Sequence, residues 1–400
     1  MTYYVGIDVG KRQHEVGILD DHGKKIGKTC RFANSREGGQ VFLDFLTQHG
    51  VTADNCLCGM EATGHYWLSL FSFLHEKAFQ TTVFNPLQSD ALRHLNIRKV
   101  KNDKVDAYLI AKLMRMETPE PTPFLDEDLI QIKQLARLRY SLVDQSSDLK
   151  RKVIAVLDQV FPEYEEVFSN AFNVSSKKLL KQHTIPEDFL NIDTEELANL
   201  LHEVSRKSYG IDEARDKASR LKACAENSFG IKLGADAFRL HIRLLLDQIM
   251  LIERQVKDVE SLLSELSDRQ QHHLTSIVGI SDFIASVIIG EVGSIKRFDR
   301  AEQLVAYAGL DVSVFQSGEF EGRKNRLSKR GSPYLRRAIW QAALVASFHD
   351  PVLSEHYKQL RARGKAHGTA CGAVARKLTH IIFAILRDQK PYEPRIPPKS

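Results

Sequence analysis

The first 115 or so residues constrain the fold most, because their hydrophobic period changes from the alternation of strands to the longer repeat of helices. The segment 3–7 is short, apolar and rich in β-prone residues, and turn residues at 20–23 separate two further strand-like segments. From Asn34, which we expect to cap a helix, helical and strand-like segments alternate as far as residue 114. The predicted order of elements is therefore βββαβαβα.

Three meandering strands followed by alternating helices and strands form the topology of an RNase H-like domain, which we predict over residues 1–118. Asp8 ends the first strand, and Glu61 ends the strand after the first helix. Asp103 and Asp106 have the i, i+3 spacing that places both on one face of the last helix of this domain. In this topology the three places meet at one edge of the sheet.

These four acids predict a metal site. Clustered carboxylates repel one another, and hard divalent cations, which prefer oxygen ligands, relieve that repulsion. We expect magnesium, with manganese as an alternative, at Asp8, Glu61, Asp103 and Asp106, where two ions can flank a phosphodiester. The competing interpretation is that each acid is an ordinary surface residue, since an acid at a strand end is common.

Basic residues form two clusters in a chain whose net charge is only +5. Such clusters neutralise phosphates and steer nucleic acid toward a site, although a solvated charged surface explains a single cluster equally well. The candidate nucleic-acid contacts are Arg98, Lys99, Lys101, Lys104, Arg323, Lys324, Arg326, Lys329, Arg330, Arg336 and Arg337.

A proline-rich break ends the first domain and leads into a helical region over residues 119–272. Within it, apolar residues at 238–266 step by four and three over about four heptads. This seam indicates either a coiled coil between chains, which we favour, or a hairpin with the helix predicted at 126–160. An insertion at about 163–232 is mixed and polar, and we interpret it as small helices.

Residues 273–400 are predicted to be a mainly α-helical domain. The segment 274–281 and the apolar helix after it resemble a helix-hairpin-helix element, whose turn commonly contacts phosphate. Ser281 replaces the second glycine usual in such turns, which argues against phosphate contact here. Ser332 precedes a proline and suits a helix N-cap, whereas Ser328 suits a structural or phosphate-contacting role.

Composition argues against several other classes of protein. No run of about 18 apolar residues is present, so we expect no membrane-spanning helix. The five cysteines form no CxxC pair, which argues against a zinc site and against a disulfide framework. The N-terminus lacks the pattern of a signal peptide, so a reducing cytoplasm is the expected location.

Eight motifs carry a resemblance to a known family. The N-terminal motifs are GIDVGKRQHEVGILD, GMEATGHYW, FNP and KNDKVDAYLIAKL. The C-terminal motifs are SIVGISDFIASVIIGEVG, AYAGLDVSVFQSGEFEG, RLSKRGSPYLRRAIWQAA and ARKLTHIIFAIL. In order and spacing they resemble the DEDD transposases of bacterial insertion sequences. The resemblance covers both ends of the chain and says little about residues 163–232.

The resemblance implies that the first domain is RuvC-like and that the protein is a serine recombinase acting on donor and target DNA. It also implies that a structured non-coding RNA guides the enzyme. By resemblance, the serine of the QSG motif, Ser317, is the nucleophile that acts beside the four acids. Its attack on a DNA phosphate would leave a phosphoserine-linked strand, and that covalent bond conserves the energy needed for religation. Recombination joins four DNA ends, so we expect a homo-oligomer, either a dimer or a tetramer.

Two other functions stay open on the sequence. A metal-dependent DNA nuclease or Holliday-junction resolvase would use the four acids without a covalent intermediate, and Ser317 would then be structural. A coiled-coil nucleic-acid-binding protein would need no catalysis at all.

Overall fold

The computed structural model describes residues 1–62, 64–86, 103–123, 126–168, 170–205, 210–312, 316–317, 320–321 and 326–394. These residues form two compact units, Met1–Phe124 and Leu125–Ser400, each with its own hydrophobic core. The elements of the first unit are β1 (Tyr3–Val9), β2 (Gln13–Leu19), β3 (Cys30–Ala33), α1 (Arg36–Gln48), β4 (Cys56–Glu61), α2 (Trp67–Glu76), β5 (Thr81–Phe84) and α3 (Asp103–Glu117).

The first unit is built on a mixed five-stranded sheet in the order β3-β2-β1-β4-β5. Strand β1 pairs antiparallel with β2 and parallel with β4, and β5 continues the sheet in parallel. The predicted order of elements is confirmed, and this arrangement is compatible with an RNase H-like domain. One detail of the prediction is wrong: Ser35, not Asn34, is the N-cap of α1, and its Oγ accepts a hydrogen bond from the Gly38 amide at 3.1 Å.

Alternation along the strands gives this sheet two different faces. On one face, Val5 and Ile7 pack in a core with Phe42 of α1 and Leu74 of α2. On the other face, a smaller cluster joins Tyr4 to α3. The sheet is therefore covered on both sides, and α3 alone among the described helices of this unit covers the second face.

The second unit is helical apart from one short hairpin. Its elements are α4 (Glu127–Val160), α5 (Tyr164–Val167), α6 (Val174–Gln182), α7 (Pro186–Leu190), α8 (Thr194–Val204), α9 (Ile211–Glu226), α10 (Ala235–Asp268), α11 (Asp282–Val292), α12 (Ala301–Tyr307), β6 (Gln316–Ser317), β7 (Phe320–Glu321), α13 (Pro333–His349), α14 (Pro351–Ala362) and α15 (His367–Asp388).

Two 34-residue helices, α4 and α10, form a long antiparallel hairpin. The start of α4 shares a core with the end of α10, as Ile132 and Leu263 show, and the end of α4 shares a second core with the start of α10. The heptad positions Ile242 and Ile249 are fully buried in that second core beside Val153. These positions are therefore buried against α4 of the same chain. They are not buried by the coiled coil between chains that the sequence favoured.

The insertion folds as the small helices α5 to α9, as predicted. Tyr164, Phe189 and Leu197 of these helices are fully buried with the end of α4 and the start of α10. The insertion is therefore part of the core at one end of the hairpin.

The remaining helices pack at the other end of the hairpin. The predicted helix-hairpin-helix turn contains Gly279 at a φ of +96°, and a side chain there would meet the carbonyl oxygen of Ala342 at 2.6 Å. Ser281 caps α11 by accepting a hydrogen bond from the Ile284 amide. Helix α15 is long and apolar enough to cross a membrane, but 61% of its apolar stretch is buried inside the protein, as expected of a core helix.

Candidate metal and nucleic-acid site

Three glycines form a row across the sheet on the face that α3 covers. Gly17 and Gly59 are both register partners of Gly6. A Cβ atom on Gly6 would lie 2.1 Å from the carbonyl oxygen of Ala107, and one on Gly59 would lie 2.6 Å from the Cγ of Met114. Because Gly6 lacks a side chain, the backbone of α3 lies directly on β1, and Gly17 and Gly59 leave room for the side chains of Tyr108 and Met114.

Helix α3 crosses the strands at the glycine row, where Gly17 lies against Tyr108, Gly6 against Ala107, and Gly59 against Met114. Tyr4, near the start of β1, clusters with Met114 in the last turn of α3. Gly6, farther along β1, lies against Ala107, which is nearer the start of α3. Asp8 lies on the same face of β1 as Gly6, two residues nearer the end of that strand.

Next to the glycine row lies a row of acids. Glu15 on β2 is the register partner of Asp8. On the other side of β1, Glu61 directly follows the last residue of β4 that pairs with β1. Glu15 is only 2% exposed, and Asp8 and Glu61 are half-buried. Asp103 and Asp106 stand in the first turn of α3, where Asp106 is 6% exposed. Strand register therefore places Asp8 and Glu61 beside Glu15 on one face of the sheet, and the meeting of all four predicted acids stays a prediction.

Glu15 is an acid of this row that sequence reasoning missed. A signal for it exists: the alternation from His14 to Leu19 places Glu15 on the same face as Gly17. Assigning it to the site required the register of β1 with β2, in which Asp8 and Glu15 are partners.

Arg31 joins two of these acids. It is the register partner of Glu15 on β3, and its Nε donates to Oε2 of Glu15 at 3.0 Å. Its Nη2 donates to Oδ2 of Asp103 at 2.9 Å. The hydrogen bond and the negative charge of Glu15, with a smaller contribution from Asp103, raise the pKa of the Arg31 guanidinium above its usual value. The chain Glu15–Arg31–Asp103 thus links the sheet to the start of α3.

The donor chemistry of the acid row fits a hard divalent cation, since every donor is a carboxylate oxygen. Asp8 and Glu61 stand on neighbouring strands, which lie about 4.8 Å apart, so both are among the residues that would hold such an ion. Among the described side chains, however, no three acids, histidines or cysteines surround a common point.

The predicted basic contacts have different outcomes. Lys104 is exposed in the first turn of α3, next to Asp103. Arg326, Lys329 and Arg330 are exposed in the second unit. The other loop residues predicted to contact nucleic acid lie outside the described residues; they are Arg98, Lys99, Lys101, Arg323 and Lys324.

Arg336 and Arg337 contact the protein itself. The Nη1 of Arg336 donates to the carbonyl oxygen of Ala308 at 3.3 Å. Arg337 donates two hydrogen bonds of 2.8 Å to Asp144 and lies over the ring of Tyr140 at 4.2 Å. The hydrogen bonds from Arg337 hold the pKa of the Asp144 carboxyl below its usual value. Both arginines therefore have a structural role at α13, and their contact with DNA stays a prediction.

The predicted nucleophile ends strand β6. The backbone of Ser317 pairs with Phe320 of β7, and the Ser317 side chain lies outside the described residues. An antiparallel β-bridge between Val312 and Leu327 joins the two ends of this segment. Beside that bridge, Ser328 donates its amide to the carbonyl oxygen of Asp311 at 2.9 Å and its hydroxyl to the Asp311 carboxylate. The base of the Ser317 segment is thus fixed by Ser328.

A buried ion pair supports the loop after Ser328, and sequence reasoning missed it. Glu291 is 2% exposed and accepts hydrogen bonds from Arg137 at 2.6 and 3.0 Å. Ser332 donates to the same carboxylate at 2.9 Å while capping α13 through the Leu335 amide, which confirms the N-cap prediction. This pair links α4, α11 and α13.

Comparison with known proteins identifies both ends of the chain. A family model described as a transposase, of the DEDD type of IS110, matches residues 5–162. A second model, described as a transposase of the IS116/IS110/IS902 family, matches residues 271–358.

Several curated proteins are similar over nearly the whole chain. The chain is 24% identical over 395 residues to the pilin gene-inverting protein of Moraxella bovis, covering 98% of each protein. It is 26% identical over 393 residues to the mini-circle putative transposase for IS117 of Streptomyces coelicolor, covering 92% of this chain and 90% of that protein. It is 24% identical over 400 residues to the insertion element IS110 uncharacterized protein of the same species, covering 98% and 96%. The chain therefore belongs to the IS110/IS116 family of insertion-sequence transposases.

Proposed function

We propose that this transposase cuts and rejoins DNA strands with divalent metal, magnesium or manganese, held at Asp8, Glu61, Asp103 and Asp106. The observation that supports the proposal is the set of acids that strand register places side by side, Asp8, Glu15 and Glu61, together with the hydrogen bonds of Arg31 that link Glu15 to Asp103. Burying carboxylates side by side is costly unless cations compensate them. A transposase has a use for such cations, because they neutralise the charge that develops on a phosphodiester.

The chain's own residues would hold the DNA backbone near this site. Lys104 is exposed one residue after Asp103, so its ammonium group can pair with a phosphate oxygen. In the second unit, Arg326, Lys329 and Arg330 are exposed just beyond the Ser317 segment and can do the same. These contacts are independent of DNA sequence, so they favour an enzyme whose target is read by another component.

The proposed reaction proceeds through Ser317. Its hydroxyl oxygen attacks the phosphorus of a DNA phosphodiester, a phosphoserine ester forms, and the bond to one deoxyribose oxygen breaks. The departing oxygen takes up a proton equivalent to the one that serine loses. Reversal with a different deoxyribose hydroxyl joins the strand to a new partner without an external energy source. A structured non-coding RNA that pairs with donor and target DNA is proposed on the family resemblance alone.

The name of one relative favours strand exchange over simple cleavage. The Moraxella bovis protein is named for inverting a pilin gene. Inverting a DNA segment requires cut strands to be rejoined, which a plain nuclease does not do. The second candidate, a nuclease or resolvase without a covalent intermediate, is therefore the weaker one.

The test is cleavage and rejoining of insertion-sequence ends by the purified full-length protein with the structured RNA encoded beside its gene. We expect a covalent protein–DNA adduct that Ser317→Ala abolishes and that mass spectrometry locates on Ser317. Chelation with EDTA should stop the reaction, and added magnesium or manganese should restore it. Asp106→Asn should lower the rate by at least about 100-fold, whereas the exposed Glu37→Gln on the opposite face should not change it.

Each alternative function predicts a different result. Cleavage that persists in Ser317→Ala without any adduct would support the nuclease. Undiminished excision and insertion in the double variant Asp103→Asn/Asp106→Asn would show that the acids are not needed, and would favour a non-catalytic nucleic-acid-binding protein.

A further inference from the structure

We propose that Arg31, held in place by the buried Glu15, is a positioning residue that orients Asp103 toward the metal. This inference rests on the proposed metal-dependent function. It adds two residues to the site: Glu15, which lies within the first N-terminal motif but was given no role there, and Arg31, which lies outside the motifs.

Burial explains why Glu15 needs Arg31. The Glu15 side chain is 2% exposed, and an ionised carboxylate at such a position is costly unless a cation compensates it. Arg31 is the register partner of Glu15, so its guanidinium reaches that carboxylate from the neighbouring strand. The hydrogen bond of 3.0 Å from Nε fixes the plane of the guanidinium. Glu15 therefore sets the direction of the remaining donors of Arg31.

The fixed guanidinium then restrains Asp103. The Asp103 side chain is 62% exposed at the first residue of α3, where nothing in its burial would select one rotamer. The Nη2 of Arg31 binds its Oδ2 at 2.9 Å, which leaves lone pairs of the carboxylate available to an ion. A metal-binding carboxylate is commonly held in this way by a hydrogen bond from outside the ligand set.

The balance of charge explains why Arg31 is paired with Glu15. A lone arginine beside the acid row would cancel part of the negative charge that attracts a cation. Arg31 together with ionised Glu15 is neutral, so the pair restrains Asp103 and leaves the net charge of the four predicted ligands unchanged. On this basis, removing either member should weaken metal binding.

The test measures metal affinity directly, with manganese as the probe and isothermal titration calorimetry on the full-length protein. We expect Arg31→Gln to raise the Kd for manganese by about 10- to 100-fold. Arg31→Lys, which keeps the charge but loses the planar fork, should recover part of the affinity. Arg36→Gln removes an equally exposed arginine from α1, on the opposite face of the sheet, and should bind manganese like the wild type.

A second variant and a second readout complete the test. Glu15→Gln should also weaken manganese binding, and circular dichroism will show whether it folds. Arg31 is 51% exposed, so Arg31→Gln should keep the fold and provide the result even if Glu15→Gln does not. In strand cleavage, Arg31→Gln should need more manganese for half-maximal rate and approach the wild-type rate at saturation.

The possible failures are distinguishable. No manganese binding by the wild type would count against the proposed metal-dependent function itself. Equal affinity in wild type and Arg31→Gln would overturn the positioning role and leave Arg31 as a structural residue. Tighter binding in Arg31→Gln would overturn it in the opposite sense, because Arg31 would then compete with the metal for Asp103.

Discussion

Three glycines decide how closely α3 packs on the sheet. Gly6, Gly17 and Gly59 allow α3 to lie on the sheet with its backbone near that of β1. Larger residues at these positions would lift the helix and carry Asp103 and Asp106 away from the strand ends. The functional importance of these glycines is therefore indirect, since none of them has a group that binds metal or DNA.

Gly6→Ala should loosen α3, because the new Cβ would lie 2.1 Å from the carbonyl oxygen of Ala107 and 2.4 Å from the amide nitrogen of Ala111. We expect the local opening free energy of the α3 amides to fall by about 1–3 kcal/mol, as for other overpacked sites. Hydrogen exchange of peptides from 103–117 in the full-length protein measures this.

The matched control is Gly368→Ala, where a Cβ meets nothing within 4 Å. Gly368 lies in the first turn of α15, so alanine should leave exchange of that helix unchanged or slow it slightly. Unchanged exchange of α3 in Gly6→Ala would mean that the helix does not depend on the glycine row.

At the scale of elements, the long hairpin of α4 and α10 organises the second unit. Its two ends belong to different cores, one with the insertion helices and one with the C-terminal helices. Ion pairs follow its length, including Arg139 with Glu260 and Lys150 with Glu253. The apolar seam of α10 is buried by α4, so these residues stabilise the fold of one chain.

Ile249→Asp should therefore unfold the hairpin rather than separate folded subunits. Ile249 is fully buried, and an unpaired charge there should cost at least about 3 kcal/mol. We expect a lower Tm and reduced helical signal in circular dichroism. Leu244→Asp is the matched control, since Leu244 lies on the same helix but is 50% exposed and should leave the Tm unchanged. A folded monomer from Ile249→Asp, with wild-type Tm, would instead assign the seam to an interface between chains.

At the scale of the whole molecule, the proposed chemistry draws on both units. The acid row belongs to the first unit and Ser317 to the second. Two different family models cover them: the model matching 5–162 includes the acids and extends through α4, and the model matching 271–358 includes Ser317. We expect an oligomer, because the proposed recombination joins four DNA ends, so a phosphate could receive its acids and its serine from one chain or from two.

Mixing two inactive variants distinguishes these arrangements. If acids and serine act across chains, Glu61→Gln subunits combined with Ser317→Ala subunits should recover part of the strand-exchange activity, because about half of randomly formed dimers contain both types. Each variant alone is the control. An absence of rescue in mixed oligomers whose exchange has been verified would indicate that each chain completes its own site.

The sequence by itself determined the order of strands and helices in the first unit, the acids at the strand ends and the motifs of the family. These are local properties, set by hydrophobic period and residue type over short stretches. The position of Ser332 at a helix start was predictable for the same reason.

The tertiary structure decided which distant residues meet. A heptad seam marks an apolar stripe but does not name its partner, and here that partner is α4. The contact of Arg137 with Glu291 joins residues too far apart in sequence for any local pattern to relate them. The same holds for the candidate site. Asp8 and Glu61 were predictable because each ends a strand. The link from Glu15 through Arg31 to Asp103 depends on strand register, which is set by the pairing of whole strands.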